Sequence, residues 1–267
     1  MVQSIGIVGC GAIGQALVRA VDSGELNVDI AGVTSRNESK AHEFLARLNT
    51  PPPYLSRQQL IDKSDLLVET AGGHVVATLA KETFAAGKDL MVISIGALLE
   101  YPEVIEEARR TGCRLLAPSG AIAGLDGIKS ACAGRVDQVT MISRKPPIGL
   151  QGAPYIVENG INLEGLVGET EVFSGNAREA VKGFPSNLNV SAAVSLAGIG
   201  PDRTQVKMLV VPGLERNCHE VEVLGEFGVL KIHIENIPSE NPKTGKLTAF
   251  SIIRSVQDAV DPFRIGT

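Results

Sequence analysis

The pattern of apolar and polar positions divides the chain into two parts, and the first part alternates between strand-like and helix-like segments. Apolar runs of strand length lie at residues 4–8, 29–34, 66–69, 89–93 and 114–117. Segments with apolar residues at helical spacing lie between them, at residues 12–21, 38–48, 75–86 and 102–111. Strands that alternate with helices are typical of a parallel sheet covered on both faces. We therefore predict an α/β domain over residues 1–118.

The pattern changes after about residue 118. Strands are predicted at residues 136–143, 205–211, 218–224 and 229–235, and "GEFG" joins the last two as a hairpin. Helices are predicted from Asp126, as an N-cap residue, from about Val190, and over 247–260. We predict that residues 119–246 form an α+β substrate and dimerisation domain with a mostly antiparallel sheet. The C-terminal helix, at about 247–267, is expected to pack back on the first domain.

The segment "GIVGCGAIG" contains the spacing G-x-G-x-x-G and stands between a predicted strand and a predicted helix. That context favours a dinucleotide-binding turn over a plain bend. Gly9 allows the tight turn, Gly11 lets the backbone approach a pyrophosphate, and Gly14 lets the helix pack closely on the strand. We expect the pyrophosphate at the helix N-terminus, over Ala12 and Ile13, where free N–H groups favour an anion. The predicted domain is therefore of the Rossmann type, with NAD or NADP as its cofactor.

The end of the second strand bears on which cofactor binds. An acidic residue there would bind the ribose 2′-hydroxyl of NAD. The segment "IAGVTSRN" offers Ser35 and Arg36 but no Asp or Glu. Arg36 either faces the 2′-phosphate of NADP or is an ordinary solvated arginine. The sequence slightly favours acceptance of NADP, alone or together with NAD.

The composition argues against several classes of function for this chain. The 267 residues are 44% hydrophobic and 21% charged, which is ordinary for a globular protein, and the net charge is −5. An acidic chain argues against a nucleic-acid partner, and an anionic substrate must be held by local donors. No apolar run approaches the roughly 18 residues of a membrane span, and no basic region precedes the first apolar stretch. With four scattered cysteines, we expect no disulfide, no metal site and a cytoplasmic location.

Strand parity singles out one histidine as a candidate for chemistry. In "NCHEVEVLG", His219 shares a face with Val221 and Val223, so we predict that it is buried. The imidazole suits acid–base work, although a buried histidine is more often a core residue than a catalyst. The other histidines are predicted to be exposed or to begin a helix: His42, His233 and His74. The chain shows no nucleophile elbow, metal cluster or P-loop lysine, which leaves hydride transfer as the favoured chemistry.

Seven segments along the chain resemble the L-aspartate dehydrogenase family. In order, they are "GIVGCGAIG", "SIGAL", "SGAIAGLDGI", "RKPP", "FPSNLNVSAA", "GPDRTQV" and "NCHEVEVLGEFG". The resemblance covers nearly the whole chain. It implies a Rossmann domain that binds NAD or NADP and an α+β domain that supplies the substrate site and a homodimer interface. It also implies oxidation of L-aspartate to iminoaspartate, which hydrolyses to oxaloacetate and ammonia or feeds NAD biosynthesis.

The resemblance also implies roles for individual residues. His219 corresponds to the catalytic histidine of the N-x-H segment, and Ala123 and Asn189 correspond to NAD contacts. One departure is Val211-Pro212, which stands where the family usually carries Asp-Pro. This departure does not involve the histidine.

The two carboxylates of aspartate require donors that the resemblance does not name. Arg144 and Lys145, in "SRKPP", are candidates, with Asn187 as a further donor. A solvated strand end explains the basic pair equally well. The alternative functions are a dehydrogenase of the homoserine or dihydrodipicolinate type and a dinucleotide sensor without turnover. The segment "NCHEVEVLGEFG" argues against the former, and a buried histidine would be superfluous in the latter.

Overall fold

A computed structural model describes residues 3–185, 189–237, 245–263 and 265–266. The chain forms two compact units. The first contains Met1–Pro118 and Ala249–Arg264, and the second contains Ser119–Thr248 and Ile265–Thr267. Each unit is built on its own five-stranded sheet. Within the described ranges, no helix is both long and apolar enough to cross a lipid bilayer.

The sheet of the first unit is entirely parallel. Its strands are β1 (Ser4–Val8), β2 (Asp29–Thr34), β3 (Leu66–Glu69), β4 (Asp89–Val92) and β5 (Leu115–Leu116). They lie in the order β2-β1-β3-β4-β5, and the parallel pairing confirms the predicted parallel sheet. The strand order reverses between β1 and β3, and open α/β sheets bind ligands outside the carboxyl ends of the strands at such a switch point.

Helices connect these strands. They are α1 (Ala12–Asp22), α2 (Glu38–Leu45), α3 (Arg57–Lys63), α4 (Val76–Ala85), α5 (Ala97–Glu100) and α6 (Glu103–Thr111). The sequence predictions missed α3 and α5 and extended α2 three residues too far. A local signal for α3 was present, because Ser56 and Gln59 form a capping box in which each side chain bonds to the other residue's backbone.

The sheet of the second unit is mixed. Its strands are β6 (Val136–Lys145), β7 (Thr170–Asn176), β8 (Thr204–Val210), β9 (Asn217–Gly225) and β10 (Gly228–Asn236). They lie in the order β10-β9-β6-β8-β7. Only the β6–β8 pair is parallel, which confirms the prediction of a mostly antiparallel sheet.

The second unit also contains helices. They are α7 (Leu125–Ala131), α8 (Pro147–Leu150), α9 (Pro154–Glu158), α10 (Ala177–Gly183) and α11 (Asn189–Ala197). The prediction that Asp126 caps α7 is wrong, since Gly124 is the N-cap and Asp126 lies in the first turn. Gly124 has a φ of +73°, and a Cβ atom there would collide with the side chain of Ile232. A glycine therefore suits this position better than the expected aspartate.

The last helix, α12 (Lys246–Val260), contributes to the core of the first unit. Its Ile252 and Val256 are at most 1% exposed and belong to the same buried cluster as Ile5 and Leu17. Such burial removes large aliphatic side chains from water and stabilises the first unit.

Substitution Ile252→Ala should lower the free energy of unfolding by about 2–5 kcal/mol, because it leaves a cavity in this core. Chemical denaturation of the full chain measures the change. Phe250→Ala is the matched control, since Phe250 lies on the same helix but is 63% exposed, and its loss should change the stability by less than about 0.5 kcal/mol. Equal effects of the two substitutions would contradict the packing described here.

Candidate functional site

Two glycines allow the close backbone approaches in the turn between β1 and α1. Gly9 has a φ of +111°, and a Cβ atom there would lie 2.7 Å from the carbonyl carbon of Thr70 and from the backbone nitrogen of Ala71. A Cβ atom on Gly14 would collide with the carbonyl oxygen of Gly9. Larger residues would therefore push the turn away from the end of β3 or separate α1 from β1.

The middle glycine of the motif, Gly11, is different, because no atom lies close to the position that a side chain would take there. A Cβ atom on Gly11 would meet no atom within 4 Å, and Gly11 and Ala12 are both exposed. No side chain caps α1 at this end, so the N–H groups of its first turn are available to an anion. Ile13 is half-buried in that first turn. These residues fit the pyrophosphate of a dinucleotide.

The segment after β2 also fits a dinucleotide but does not select its type. The Tyr54 hydroxyl donates a 2.7 Å hydrogen bond to the carbonyl oxygen of Ser35, and Asn37 caps α2. Arg36 lies between them and is exposed. No carboxylate stands at residues 35–37, so the usual acceptor for the 2′-hydroxyl of NAD is missing there.

Two polar residues of the first unit were missed by the sequence analysis. Thr70 donates its hydroxyl to the carbonyl oxygen of Gly9 at 2.7 Å, which ties the glycine turn to the end of β3. Glu69 is fully buried and accepts hydrogen bonds from the backbones of Gly72 and Ser94. The available signal was a lone acid at the end of the apolar run "LLVE".

In the second unit, β6 and β9 place four polar residues at one end of a buried sheet face. Ser143 stands directly opposite His219 in the antiparallel register. Their side chains form a buried 2.9 Å hydrogen bond between the Ser143 oxygen and Nδ1 of His219. Lys145 lies two residues beyond Ser143, and Asn217 two residues before His219, so strand parity puts all four on the same face. The predicted burial of His219 is confirmed, at 3% exposed.

The electrostatics of this cluster follow from burial. Lys145 is 2% exposed, and desolvation lowers its pKa to about 8. The pKa of His219 is lowered to about 3, first by burial and then by the positive charge of Lys145. At neutral pH the imidazole is therefore uncharged and the lysine is mostly protonated. The arrangement places a cation beside a neutral proton acceptor.

Asn217, like Ser143, is a residue of the cluster that was not named as a candidate from the sequence. It is 3% exposed, and neither its Oδ1 nor its Nδ2 has a hydrogen-bond partner in the part of the chain that the structure describes. An unsatisfied buried amide costs about 1–3 kcal/mol, so such a group indicates a missing partner. Strand parity could have identified this residue from the sequence, because Asn217 lies two residues before His219 and therefore on the same face of the strand.

The structure separates Arg144 from this cluster. Arg144 alternates with Ser143 and Lys145 on β6 and therefore points to the opposite face. Its guanidinium forms ion pairs of 2.7 Å with Glu169 and 2.9 Å with Glu220, which raise its pKa. Because these carboxylates already pair with Arg144, we leave this residue out of the proposed site.

The remaining candidates of the second unit lie in a loop and at a helix end. Ala123 is exposed in the loop before α7, and that loop is anchored by a 3.0 Å hydrogen bond from the Asn236 side chain to the carbonyl oxygen of Ala121. Asn189 is the first residue of α11 and is half-buried. Asn187 lies outside the described residues. The roles of all three stay predictions.

The other histidines are exposed. The side chains of His42 and His233 are 56% and 55% exposed, as predicted, and both pair with glutamates. His74 is exposed in a short 3₁₀ turn, Gly73–Val75, ahead of α4.

Comparison with known proteins finds a matching sequence profile for each part of the chain. The sequence profile described as "Aspartate dehydrogenase, C-terminal" matches residues 126–259, and the profile described as "Homoserine dehydrogenase, NAD binding domain" matches residues 9–118. Among solved structures, aspartate dehydrogenase from Thermotoga maritima superimposes with a TM-score of 0.76 at 25% identity, covering 99% of both chains. A homoserine dehydrogenase from Thiobacillus denitrificans gives a TM-score of 0.63 at 13% identity, covering 98% of this chain and 75% of its own. That likeness shows the fold alone.

Curated relatives share the whole length. The L-aspartate dehydrogenase of Methanosarcina mazei is 47% identical over 98% of this chain and 99% of its own. L-aspartate dehydrogenase 3 of Bordetella bronchiseptica is 41% identical over 98% of this chain and 97% of its own. With this profile match and these identities over nearly the whole chain, this chain belongs to the aspartate dehydrogenase family.

Proposed function

We propose that the protein is an L-aspartate dehydrogenase that oxidises L-aspartate to iminoaspartate with NAD or NADP. Iminoaspartate then hydrolyses to oxaloacetate and ammonia. The observation that carries the proposal is the buried cluster of His219, Lys145 and Asn217, in a chain of this family. These groups have the chemistry that a dicarboxylic amino acid requires.

Lys145 is proposed to bind a substrate carboxylate. Its side chain is buried, and among the residues the structure describes no acid forms an ion pair with it. A buried cation without a counter-ion is costly, and a substrate carboxylate supplies that counter-ion. The protein as a whole carries a charge of −5, so attraction of an anion must come from such a local donor.

Asn217 is proposed to bind the amino-acid head group. Its free Nδ2 can donate to a carboxylate oxygen, and its free Oδ1 can accept from an amine. L-Aspartate carries both groups on its α-carbon, so one ligand satisfies the whole amide. The unpartnered state of Asn217 is then explained by the substrate.

His219 is proposed to accept and return the proton of the reaction. The α-amine must be neutral before oxidation, so a base must take its proton. NAD or NADP held at the glycine turn would supply the acceptor for the hydride of the α-carbon. Burial depresses the pKa of His219 most, and the positive charge of Lys145 depresses it further. Substrate carboxylates placed beside that lysine would oppose the second effect and so make His219 a better base. Ser143 holds the ring by its hydrogen bond to Nδ1.

The proposed cofactor contacts are the glycine turn with Ala12 and Ile13, together with Arg36, Ala123 and Asn189. The open space over Gly11 and the uncapped start of α1 support the pyrophosphate position. The contacts of Ala123 and Asn189 rest on the family resemblance.

Several further properties are proposed. A homodimeric assembly and the entry of iminoaspartate into NAD biosynthesis rest on the resemblance. A cytoplasmic location and the absence of nucleic-acid and membrane partners rest on the scattered cysteines, the net charge of −5 and the lack of a long apolar run. A homoserine-type substrate and a sensor without turnover are the alternative functions, and an activity assay separates them from the proposal.

Substitution His219→Ala should lower the rate of aspartate-dependent NAD or NADP reduction by roughly 100- to 10,000-fold, because the proton acceptor is removed. The affinity for the reduced cofactor, measured by fluorescence titration, should change little. His233→Ala is the control, since its side chain is 55% exposed on the other face of the sheet. Full turnover by the His219 variant, or activity with homoserine in place of aspartate, would refute the assignment.

Substitution Lys145→Met should raise KM for aspartate by at least about tenfold and also stabilise the protein near pH 7. The folded-state pKa of about 8 lies below the unfolded value of about 10.4, so burying the cation costs roughly 3 kcal/mol below pH 8. In the unmodified protein this cost disappears as the pH rises from about 8 to 10.5, because the unfolded chain then binds more protons.

Urea unfolding at pH 7 and at pH 10 measures this effect. The gain in stability from Lys145→Met should be large at the lower pH and small at the higher one. Lys231→Met is the control, since that lysine side chain is 73% exposed. An unchanged KM for aspartate would remove Lys145 from the site.

Substitution Arg36→Ala should weaken NADP binding by about tenfold and leave NAD binding little changed, because a charge-assisted contact to the 2′-phosphate is lost. Parallel titrations with both cofactors measure the difference. Arg47→Ala, at another exposed arginine just after α2, should alter neither affinity. A strong preference of the unmodified protein for NAD would contradict the role of Arg36.

A further inference from the structure

Glu69 is a buried acid that the proposed reaction does not use. It is the last residue of β3 and is 0% exposed. Removing a carboxylate from water is costly unless hydrogen bonds replace the lost hydration. Its partners therefore indicate what the residue does.

Three hydrogen bonds join this carboxylate to two different loops. The backbone N–H of Gly72, in the loop after β3, donates to Oε1 at 2.7 Å. The backbone N–H of Ser94, in the loop after β4, donates to Oε2 at 3.0 Å, and the Ser94 hydroxyl donates to Oε1 at 3.1 Å. Because both loops bond to one rigidly held carboxylate, their relative positions are fixed.

The turn within the first of these loops depends on the same carboxylate. Gly72 has a φ of +111°, so the chain reverses sharply at the residue whose N–H Glu69 accepts. The neighbouring Thr70 bonds to Gly9 in the glycine turn. Glu69 and Thr70 thus connect the loop after β3 to its neighbours on both sides.

The position of these loops identifies the part of the ligand that they meet. In a sheet of order β2-β1-β3-β4-β5, the switch point lies between β1 and β3. The pyrophosphate lies at the start of α1, after β1, and the adenosine ribose is bound at the end of β2. The other half of the dinucleotide must therefore extend in the opposite direction, over the carboxyl ends of β3 and β4.

We propose that Glu69 is a positioning residue for the nicotinamide half of the cofactor. It holds the loops at residues 70–73 and 93–96 in the shape that receives this half, without touching the ligand itself. The inference rests on the proposed dinucleotide binding and adds a residue that selects one half of the ligand.

Substitution Glu69→Gln tests the inference with little change in side-chain size. The amide retains one oxygen, so one of the two backbone N–H groups, of Gly72 or of Ser94, loses its acceptor and faces a donor. Calorimetric titration with NADH should show affinity about tenfold lower than that of the unmodified protein. Titration with ADP-ribose, which lacks the nicotinamide, should show little change. NADPH and 2′-phospho-ADP-ribose form the equivalent pair for the phosphorylated cofactor.

Ser64→Ala is the matched control. Ser64 is fully buried just before β3, at the opposite end of that strand, and its hydroxyl donates to the carbonyl oxygen of Leu60 at 2.6 Å. Its loss removes a buried hydrogen bond without touching either loop, so both affinities should be retained. Ser94→Ala removes only the hydroxyl that donates to Glu69, so it should lower the affinity for NADH by less than Glu69→Gln does. This variant replaces Glu69→Gln in the test if the Glu69 variant does not fold.

Several outcomes would overturn the inference. The first is that Glu69→Gln weakens the binding of NADH and of ADP-ribose equally, and the second is that it does not weaken NADH binding. The third is that Ser64→Ala shows the same preferential loss of NADH affinity. Failure of the unmodified protein to bind NADH or NADPH would overturn dinucleotide binding as well. If Glu69→Gln lowers the affinity for NADH but not for ADP-ribose, and the unmodified protein does not turn over aspartate, only the substrate assignment would be overturned.

Discussion

The candidate substrate site depends on the burial, beside a histidine, of a lysine that has no ion pair among the described residues. Lys145 and His219 lie with Ser143 and Asn217 at one end of a sheet face that continues as apolar through Val139, Met141 and Val221. Burial lowers the pKa of Lys145 to about 8, and burial together with the charge of Lys145 lowers the pKa of His219 to about 3. In both side chains the charged form is destabilised, and a bound anion would oppose this by supplying a nearby negative charge. Stability and substrate affinity are thereby coupled through one pair of side chains.

The two units use buried polar groups in opposite ways. Glu69 is satisfied by three hydrogen bonds from two loops, so it needs no ligand and serves to hold backbone in place. Asn217 is also buried but lacks partners among the described residues, so its amide is available to the proposed substrate. The contrast distinguishes a group that shapes a site from a group that binds within one. It also explains why Glu69 can be separated experimentally from substrate binding.

Much of the fold was predictable because apolar periodicity records which faces are buried. The alternation in the first 118 residues gave the parallel sheet, and strand parity gave the burial of His219. The strand at residues 170–176 and the short helices around it were missed, since residues 147–183 lack a sustained period. The predicted end of β6 at residue 143 was two residues short. Arg144 and Lys145 were therefore treated as one basic pair, although the strand sends them to opposite faces.

The paired roles of Lys145 and Asn217 also bear on the choice of substrate. An amino acid with an uncharged side chain brings one carboxylate, which the Asn217 amide can bind together with the amine, and the lysine then keeps an uncompensated charge. Aspartate brings a second carboxylate to that charge. Because a buried ion without a partner is far more costly than a paired one, the proposed site would discriminate by what the wrong substrate leaves unsatisfied. A substrate with an uncharged side chain would leave the charge of Lys145 uncompensated, so the depression of the His219 pKa that this charge adds to the effect of burial would persist.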